Sequence, residues 1–425
     1  MGVGKTSSCL WSFRDMLLTG ELIGALVVAP LRVTNLTWPA EVQLWDEFKG
    51  LTIANLRTAQ GRALFMSGRA HIYTINYESL PAFIALAKQR ILLHGALPYD
   101  LEIWDETTKA KNPSSKRVNK FRREMPRAPY RWGLTGTPAP NGLLDLFSQV
   151  RLLDDGERLG DKFEDYKRKY FRQMDFMGYK WEIMEGSKDT IECAIADMTL
   201  TIAGGEWPIH VEDIELPMPD DIHRMYKKLE RDLILQLQTG EITAANAAAL
   251  VSKLLQFTSG AMYDVDKKWH KVHDEKMDAL AKLAKEDGPL LVACNFKHEQ
   301  ERIRKRFPRA KFFEDAHTPA TQTELLRQWN AGEVPMLVAH PRSAGHGLNM
   351  QGGSWRMVWT TLTYDSDAYQ QFIARLARRG QTRTVMVYRL MCPGTVDDVV
   401  AESLTLKANT ERRLMTALTL LQQQI

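Results

Sequence analysis

Cysteine is scarce in this chain of 425 residues: there are four, Cys9, Cys193, Cys294 and Cys392. They lie far apart and none forms a CxxC pair, which argues against a zinc site or a disulfide framework and fits a reducing cytoplasm. Long apolar runs are missing as well. The stretch ALVVAP at 25–30 is too short to cross a bilayer and suits a buried strand better than the core of a signal peptide. No secretory or lipidation signal is visible, so no membrane partner is expected. Net charge is small, +4, and by itself names no partner. The charge is uneven, however: KRVNKFRREMPRAPYR (116–131) carries seven basic residues and one acid. Two readings stand, a solvated helical face and a phosphate-contacting surface. No carboxylate–lysine or histidine–metal cluster of a nuclease stands out.

What the sequence has in quantity is alternation of strand and helix. GALVVAP, RAHIYTINYESL, YDLEIWDE and YRWGLTGTPAPN read as strands, with helical LTWPAEVQLWDEF and PAFIALAKQRILLHG between them. Such alternation predicts a parallel sheet covered by helices on both faces. From 151 to 272 the texture turns polar and helical, with a long amphipathic helix, a Gly-centred turn and a second helix after LPMP. Alternation returns at GPLLVACNF and continues through KFFEDAHT, TQTELLRQWNAG, VPMLVAH, WRMVWT and TVMVYRL. The expected organisation is a first α/β lobe at 1–150, a mostly helical insertion at 151–272, and a second α/β lobe at 273–425 that ends in helices.

Five short segments carry chemistry. Gly4-Lys5-Thr6 matches the last three positions of the phosphate loop GxxxxGK[ST], whose backbone N–H groups and Lys cradle phosphates while its hydroxyl binds magnesium. Asp105-Glu106 closes an apolar strand, where an Asp can hold magnesium and the next Glu can deprotonate an attacking water. LTGTPAPN (134–141) is a hydroxyl-rich turn after a strand. In AGHGLNMQGG (344–353), Gly345, Gly347 and Asn349 let a backbone approach a phosphate closely. In QQFIARLARRGQ (370–381), Gln371, Arg375 and Arg378 fall at i, i+4 and i+7, which predicts one helical face presenting two guanidiniums to a phosphate.

Taken in order, GKT, DETTKAKN, LTGTP, the GHGLN loop and QxxxRxxRxGQ resemble the motif series of superfamily-two helicases. RxxRRGQ followed by a strand and PGTVDD is similar to the SWI/SNF-like branch, as are APLRVTNLTWPAEVQLW, NYESL and DEKMDALAKL. DETTKAKNPSSKR and LTGTPAPNGLLDLF look most like compact versions carried by bacteriophages and prophages. The resemblance implies an α/β fold of two RecA-like parallel-sheet lobes, the P-loop NTPase fold, with helical insertions between them. It implies an ATP-dependent DNA translocase or helicase using ATP and Mg2+, in the cytoplasm of a bacterial host, with DNA (duplex) as partner and phage or host replication or recombination proteins as further ones. Gly2, Gly4, Lys5 and Thr6 correspond to the phosphate loop, with Thr6 and Asp105 on magnesium and Glu106 as base. Gln371, Arg375 and Arg378 would reach across from the second lobe, the arginines as fingers. Gly345 and Gly347 would sense the nucleotide, with Asn349 linking it to DNA. Pro30, Arg32, Tyr77, Asn295 and Phe296 lie in stretches that face nucleic acid in the family.

The chain departs from that pattern in three places. Its first residues fall inside the phosphate loop, so the loop's first glycine and the strand feeding it would precede Met1. A start site assigned too late, a truncated prophage gene and a chain without the front end all fit, and weak nucleotide binding is expected of the chain as written. The alternative to a motor is then a catalytically impaired DNA-binding remnant. Thr107-Thr108 stands in place of the more usual residues after Asp-Glu, and His346 sits inside the glycine loop. An RNA-directed helicase on the same scaffold is disfavoured by the RxxRxGQ form.

Overall fold

The computed structural model describes residues 4–139, 142–174, 181–202, 205, 207–238, 244–344 and 348–405. They fall into two compact units, Val3–Ala203 and Gly204–Ile425.

The first unit is built on β1 (Ala25–Ala29), β2 (Ile53–Asn55), β3 (Ile72–Asn76), β4 (Leu101–Asp105) and β5 (Tyr130–Leu134), in the order β2-β3-β1-β4-β5. Every pairing is parallel. A parallel sheet is covered on both faces, so its inner strands read as unbroken apolar runs. Indeed β1, β3 and β4 are buried at every position, while the edge strand β5 is only part-buried. Alternate side chains of β1 go to opposite faces. Leu26 and Val28 pack with Phe65, Phe83 and Phe121. Ala25, Val27 and Ala29 pack with Leu10 and Phe13 of the helix Lys5–Leu18. Three layers result, helix on sheet on helix. Because the strands are parallel, their carboxyl ends share one edge, and the chain leaves that edge at Pro30, Tyr77, Glu106 and Thr135. A smaller core around Phe147, Tyr166 and Ile191 gathers the helices Leu146–Asp154, Phe163–Tyr170 and Ser187–Ile195. A hairpin, β6 (Phe171–Gln173) with β7 (Trp181–Ile183), lies in the same unit.

The second unit holds β8 (Ile209–Glu215), the hairpin β9 (Ala261–Tyr263) and β10 (Trp269–Lys271), then β11 (Leu290–Ala293), β12 (Lys311–Phe312), β13 (Met336–Ala339), β14 (Arg356–Trp359) and β15 (Val385–Met391). Six of these form a parallel sheet in the order β12-β13-β11-β14-β15-β8. The stretch 151–272, expected as one helical insertion, is therefore shared: its first part belongs to the first unit and the rest to the second. β8 lies within it and pairs with β15 from Ile209↔Val385 to Glu215↔Met391. Its sequence IHVEDIE is mostly exposed, as an edge strand can be, and an ion pair joins its Asp213 to Arg389 of β15. The two helices expected after LPMP are Asp220–Gln238 and Ala244–Thr258. Beneath them Lys276 and Asp397 form a buried ion pair at 2.6 Å. Asp397 also accepts from the Thr258 hydroxyl at 2.8 Å and the Cys392 N–H at 2.9 Å, so both its oxygens are satisfied, the condition under which a buried pair is tolerable.

One buried charge in the first unit has a measurable consequence. Glu102 of β4 is 3% exposed, with the Trp104 indole N–H on its carboxyl at 3.1 Å. Burial pushes this carboxyl up to about 7, against the pull of Trp104 and Arg131. An unfolded chain releases the same proton near pH ~4.3. Between those values the native state binds more protons, so stability is greatest on the acid side and falls as pH rises toward 7. Glu102→Gln keeps the acceptor for Trp104 and removes the charge. It should raise the melting temperature by roughly 5 °C at pH 8 and by much less at pH 5, read by thermal denaturation at the two pH values.

Candidate functional site

The helix Lys5–Leu18 starts behind Gly4, which is left-handed at φ 77° and has no side chain to cap the first turn. The first N–H groups of that helix are thus left for an outside acceptor, and glycine is suited to the conformation that turns the chain into it. Lys5 and Thr6 are part-exposed in this first turn. Gly2 lies outside the described residues.

Asp105 ends β4 and is 8% exposed, and the Trp38 indole N–H donates to its Oδ2 at 3.0 Å. Burial pushes the Asp105 carboxyl up to about 6, against the pull of Trp38; Glu106 pushes it further and Lys5 pulls it down. Asp105 and Lys5 also act, in opposite directions, on the Cys9 thiol, which burial pushes up to about 12. Lys5, Cys9 and Asp105 therefore share one neighbourhood. The next residue, Glu106, is left-handed at φ 59° and ψ 60°, a conformation a non-glycine residue keeps only when its surroundings hold it. Here the Tyr77 hydroxyl donates to the Asp105 carbonyl at 3.0 Å and lies 3.3 Å from the Glu106 carbonyl. The Thr108 hydroxyl donates to the Glu106 carboxylate at 2.9 Å.

Other expected residues fall at the same edge in different roles. Pro30 and Arg32 are part-exposed where β1 gives way to a π-helical turn, Val33–Thr37, a form common at functional sites. Tyr77 differs from expectation. It is 1% exposed, in ring contact with Trp104, and its hydroxyl is spent on the Asp105 turn, so its side chain offers nothing to a ligand outside. Thr135 accepts from the Thr137 N–H at 3.2 Å, closing the hydroxyl-rich turn after β5.

The basic run 116–131 is largely committed within its own unit. Arg122, Arg127 and Arg131 approach Asp155 at 3.7, 3.0 and 2.7 Å, and Arg117 pairs with Glu78 at 3.4 Å. Val118 and Phe121 of its helix are core residues. The run is thus in good part an internal network rather than a bare cationic face.

In the second unit, Gly345 and Gly347 lie outside the described residues. The loop from Leu348 onward is fastened at several points. Asn330 donates to the Asn349 carbonyl at 2.9 Å and the Trp329 indole to the Met350 carbonyl at 2.8 Å. Gly353 lies under that indole, where a Cβ would come within 2.3 Å of the ring nitrogen. Asn349 itself is exposed. Arg375 and Arg378 both donate to the Leu348 carbonyl at 3.1 Å, and Arg375 Nε donates to the Gln371 carbonyl at 2.9 Å. The expected single helical face is not what brings them together. The helix capped by Asp365 ends at Ile373, and the backbone continues in tighter turns, with Arg375 N–H on Phe372 O and Leu376 N–H on Ile373 O. The two guanidiniums converge because one carbonyl attracts both, not through helical periodicity. Asn295 donates its amide to the Thr361 carbonyl at 2.8 Å, and Phe296 stacks on His298 at 5.4 Å.

Sequence reasoning missed Trp38, Thr108, Gln149 and the carbonyl of Leu348. Trp38 sits in a stretch marked as Trp-rich and helical, but nothing local says that its indole meets a carboxylate 67 residues on. A backbone carbonyl leaves no signature in sequence at all.

The SNF2-related domain matches residues 1–261. Protein p41 of Acyrthosiphon pisum secondary endosymbiont phage 1 is 35% identical, over 98% of this chain and 93% of that protein. An uncharacterized ATP-dependent helicase of Mycoplasma genitalium is 20% identical over 95% of this chain, which spans 38% of that protein. Among solved structures, the Sulfolobus solfataricus SWI2/SNF2 ATPase core in complex with dsDNA is 20% identical with a TM-score of 0.41, covering 95% of this chain and 84% of that one.

Proposed function

The chain belongs to the SNF2-related family of ATP hydrolases, and from that premise we propose that it couples ATP hydrolysis to movement along duplex DNA. The observation that carries the reading is the neighbourhood of Lys5 and Asp105: a helix start with uncapped N–H groups beside a strand-ending Asp-Glu pair. Lys5, with the backbone at Gly4, holds the phosphates of ATP. Thr6 and Asp105 would hold Mg2+, since a hydroxyl and a carboxylate are the hard oxygen donors this ion takes. When bound, the ion neutralises charge on the phosphate oxygens. Glu106 takes the proton of the attacking water, and its left-handed backbone with the Thr108 hydroxyl sets where its carboxylate points.

In the second unit Arg375 donates to the Gln371 carbonyl, and Arg375 and Arg378 bring two guanidiniums together, groups suited to offset the charge that develops on a phosphate in transfer. Gly345 and Gly347 shortly precede Leu348, whose carbonyl accepts from both arginines, so a guanidinium drawn to a phosphate gives up one of the two bonds on that carbonyl. Asn349, exposed on the loop, would pass that change to DNA. Pro30 and Arg32 of the first unit, and separately Asn295 and Phe296 of the second, are the residues offered to the DNA backbone, while Tyr77 acts from inside by holding the Asp105 turn. Backbone-dominated contact makes binding tolerant of sequence and sensitive to salt. Among the described residues no helix is long and apolar enough to cross a membrane.

Movement itself is tested by displacement of a third strand from a DNA triplex. The expected result is ATP-dependent release of the third strand with the duplex left paired, absent in Glu106→Gln. DNA-stimulated hydrolysis without release would contradict movement while leaving the hydrolase in place.

A further inference from the structure

Gln149 is a polar side chain in an apolar setting. It lies on the helix Leu146–Asp154, 4% exposed, with buried Leu146, Phe147, Val150 and Leu152 on the same helix. Its amide is fully engaged. Oε1 accepts from the Thr107 hydroxyl at 2.6 Å, and Nε2 donates to the Pro138 carbonyl at 2.6 Å and the Asp145 carbonyl at 2.8 Å. That partner set fixes the amide's orientation, since two carbonyls require the NH2 end and the hydroxyl donates to the oxygen. Thr107 is itself 3% exposed and directly follows Glu106. Pro138 closes the turn Thr135-Gly136-Thr137-Pro138. One side chain thus bridges the turn that carries the Asp-Glu pair and the turn that ends β5. A second link runs parallel to it, from Lys111 Nζ to Asp145 at 3.1 Å.

Glu106 needs such bracing. Its left-handed backbone is held on one side by the Tyr77 hydroxyl, and Thr107 is the next residue along the chain. If the Thr107–Gln149 bond is cut, the turn loses its anchor on the other side. We infer that Gln149 is a positioning residue for hydrolysis, setting the Asp105–Glu106 turn against the Thr135–Pro138 turn through the hydroxyl of Thr107. The inference rests on Asp105–Glu106 being the hydrolytic pair. It also gives a task to the unusual threonine after that pair. Lys5 and Thr6, assigned to the phosphates, belong to a different element, and Asp105 is held separately by the end of β4 and the Trp38 indole, so a loosened Glu106 lowers turnover with little effect on nucleotide affinity. A displacement of even ~1 Å at a catalytic group can cost on the order of 100-fold.

The test is steady-state ATP hydrolysis with duplex DNA by the full chain and by Gln149→Met, Thr107→Val, their double variant and Thr107→Ser, each checked for a cooperative melt. Gln149→Met keeps the volume and removes the amide; Thr107→Val keeps the shape and removes the hydroxyl. Both should lower kcat roughly 10-fold or more, with KM for ATP within about twofold. The double variant should be no worse than the poorer single, as for two ends of one bond. Thr107→Ser, which keeps the hydroxyl, should retain most of kcat. Wild-type kcat in folded Thr107→Val and Gln149→Met would overturn the inference, and so would a loss in Thr107→Ser equal to that in Thr107→Val. If Gln149→Met does not fold, the two Thr107 variants decide. Glu106→Gln run in parallel separates the two levels. Glu106-dependent turnover that ignores Gln149 refutes the positioning role alone, whereas turnover that does not depend on Glu106 refutes the reading beneath it.

Discussion

Glu106→Gln should leave ATP binding within about twofold of wild type and lower turnover by roughly 10²–10⁴-fold. Glutamine has the shape of glutamate and still accepts from the Thr108 hydroxyl, which stands 2.9 Å from the native carboxylate. It cannot take a proton from water. The left-handed backbone at φ 59° is held by Tyr77 acting on main-chain carbonyls, so the substitution should not move the turn. The residues proposed to bind the nucleotide and its ion, Lys5, Thr6 and Asp105, are left alone by the change. Turnover is read by phosphate release and affinity by a fluorescent ATP analogue. A variant that keeps more than a tenth of wild-type turnover would remove Glu106 from the role of base.

Arg378→Ala should cost on the order of 10³-fold in turnover, the scale of losing an arginine finger. Arg378→Lys should recover little, because an ammonium lacks the planar fork that grips a phosphate in two places. Stability should tell the two arginines apart. Arg375 is 7% exposed and bonds both Leu348 O and Gln371 O. Its removal should destabilise the second lobe by about 1–3 kcal/mol on top of the catalytic loss. Arg378 is part-exposed and shares its carbonyl with Arg375, so either residue alone keeps Leu348 O satisfied. The double variant Arg375→Ala/Arg378→Ala should therefore lose more melting temperature than the two single losses added together. Strict additivity in the melts would show that the shared carbonyl is not the common anchor.

The inner strands of both sheets were legible because burial on two faces leaves an apolar run that survives in sequence: ALVVA, LEIWD, LLVA and MLVA are all buried throughout. β8 was not legible for the opposite reason. An edge strand can stay wet, IHVEDIE carries charges at exposed positions, and its partner β15 lies far along the chain. Arg375 and Arg378 were expected on one face of a helix, but that helix ends at Ile373; what joins them is a carbonyl, which no residue type announces. The basic run 116–131 left two readings open in sequence. The choice depended on Asp155, a residue outside the run that gathers three guanidiniums once the chain is folded. Tyr77 shows the limit of a motif carried over by position: the residue is where the pattern places it, yet its side chain points into the core.

The measurement closest to the central claim is ATP hydrolysis by this chain with magnesium, with and without duplex DNA, across a salt series and beside Glu106→Gln. The account predicts turnover that duplex DNA stimulates, that falls as salt rises, and that Glu106→Gln loses. Absence of magnesium-dependent turnover, or turnover indifferent to DNA and to Glu106, would contradict it.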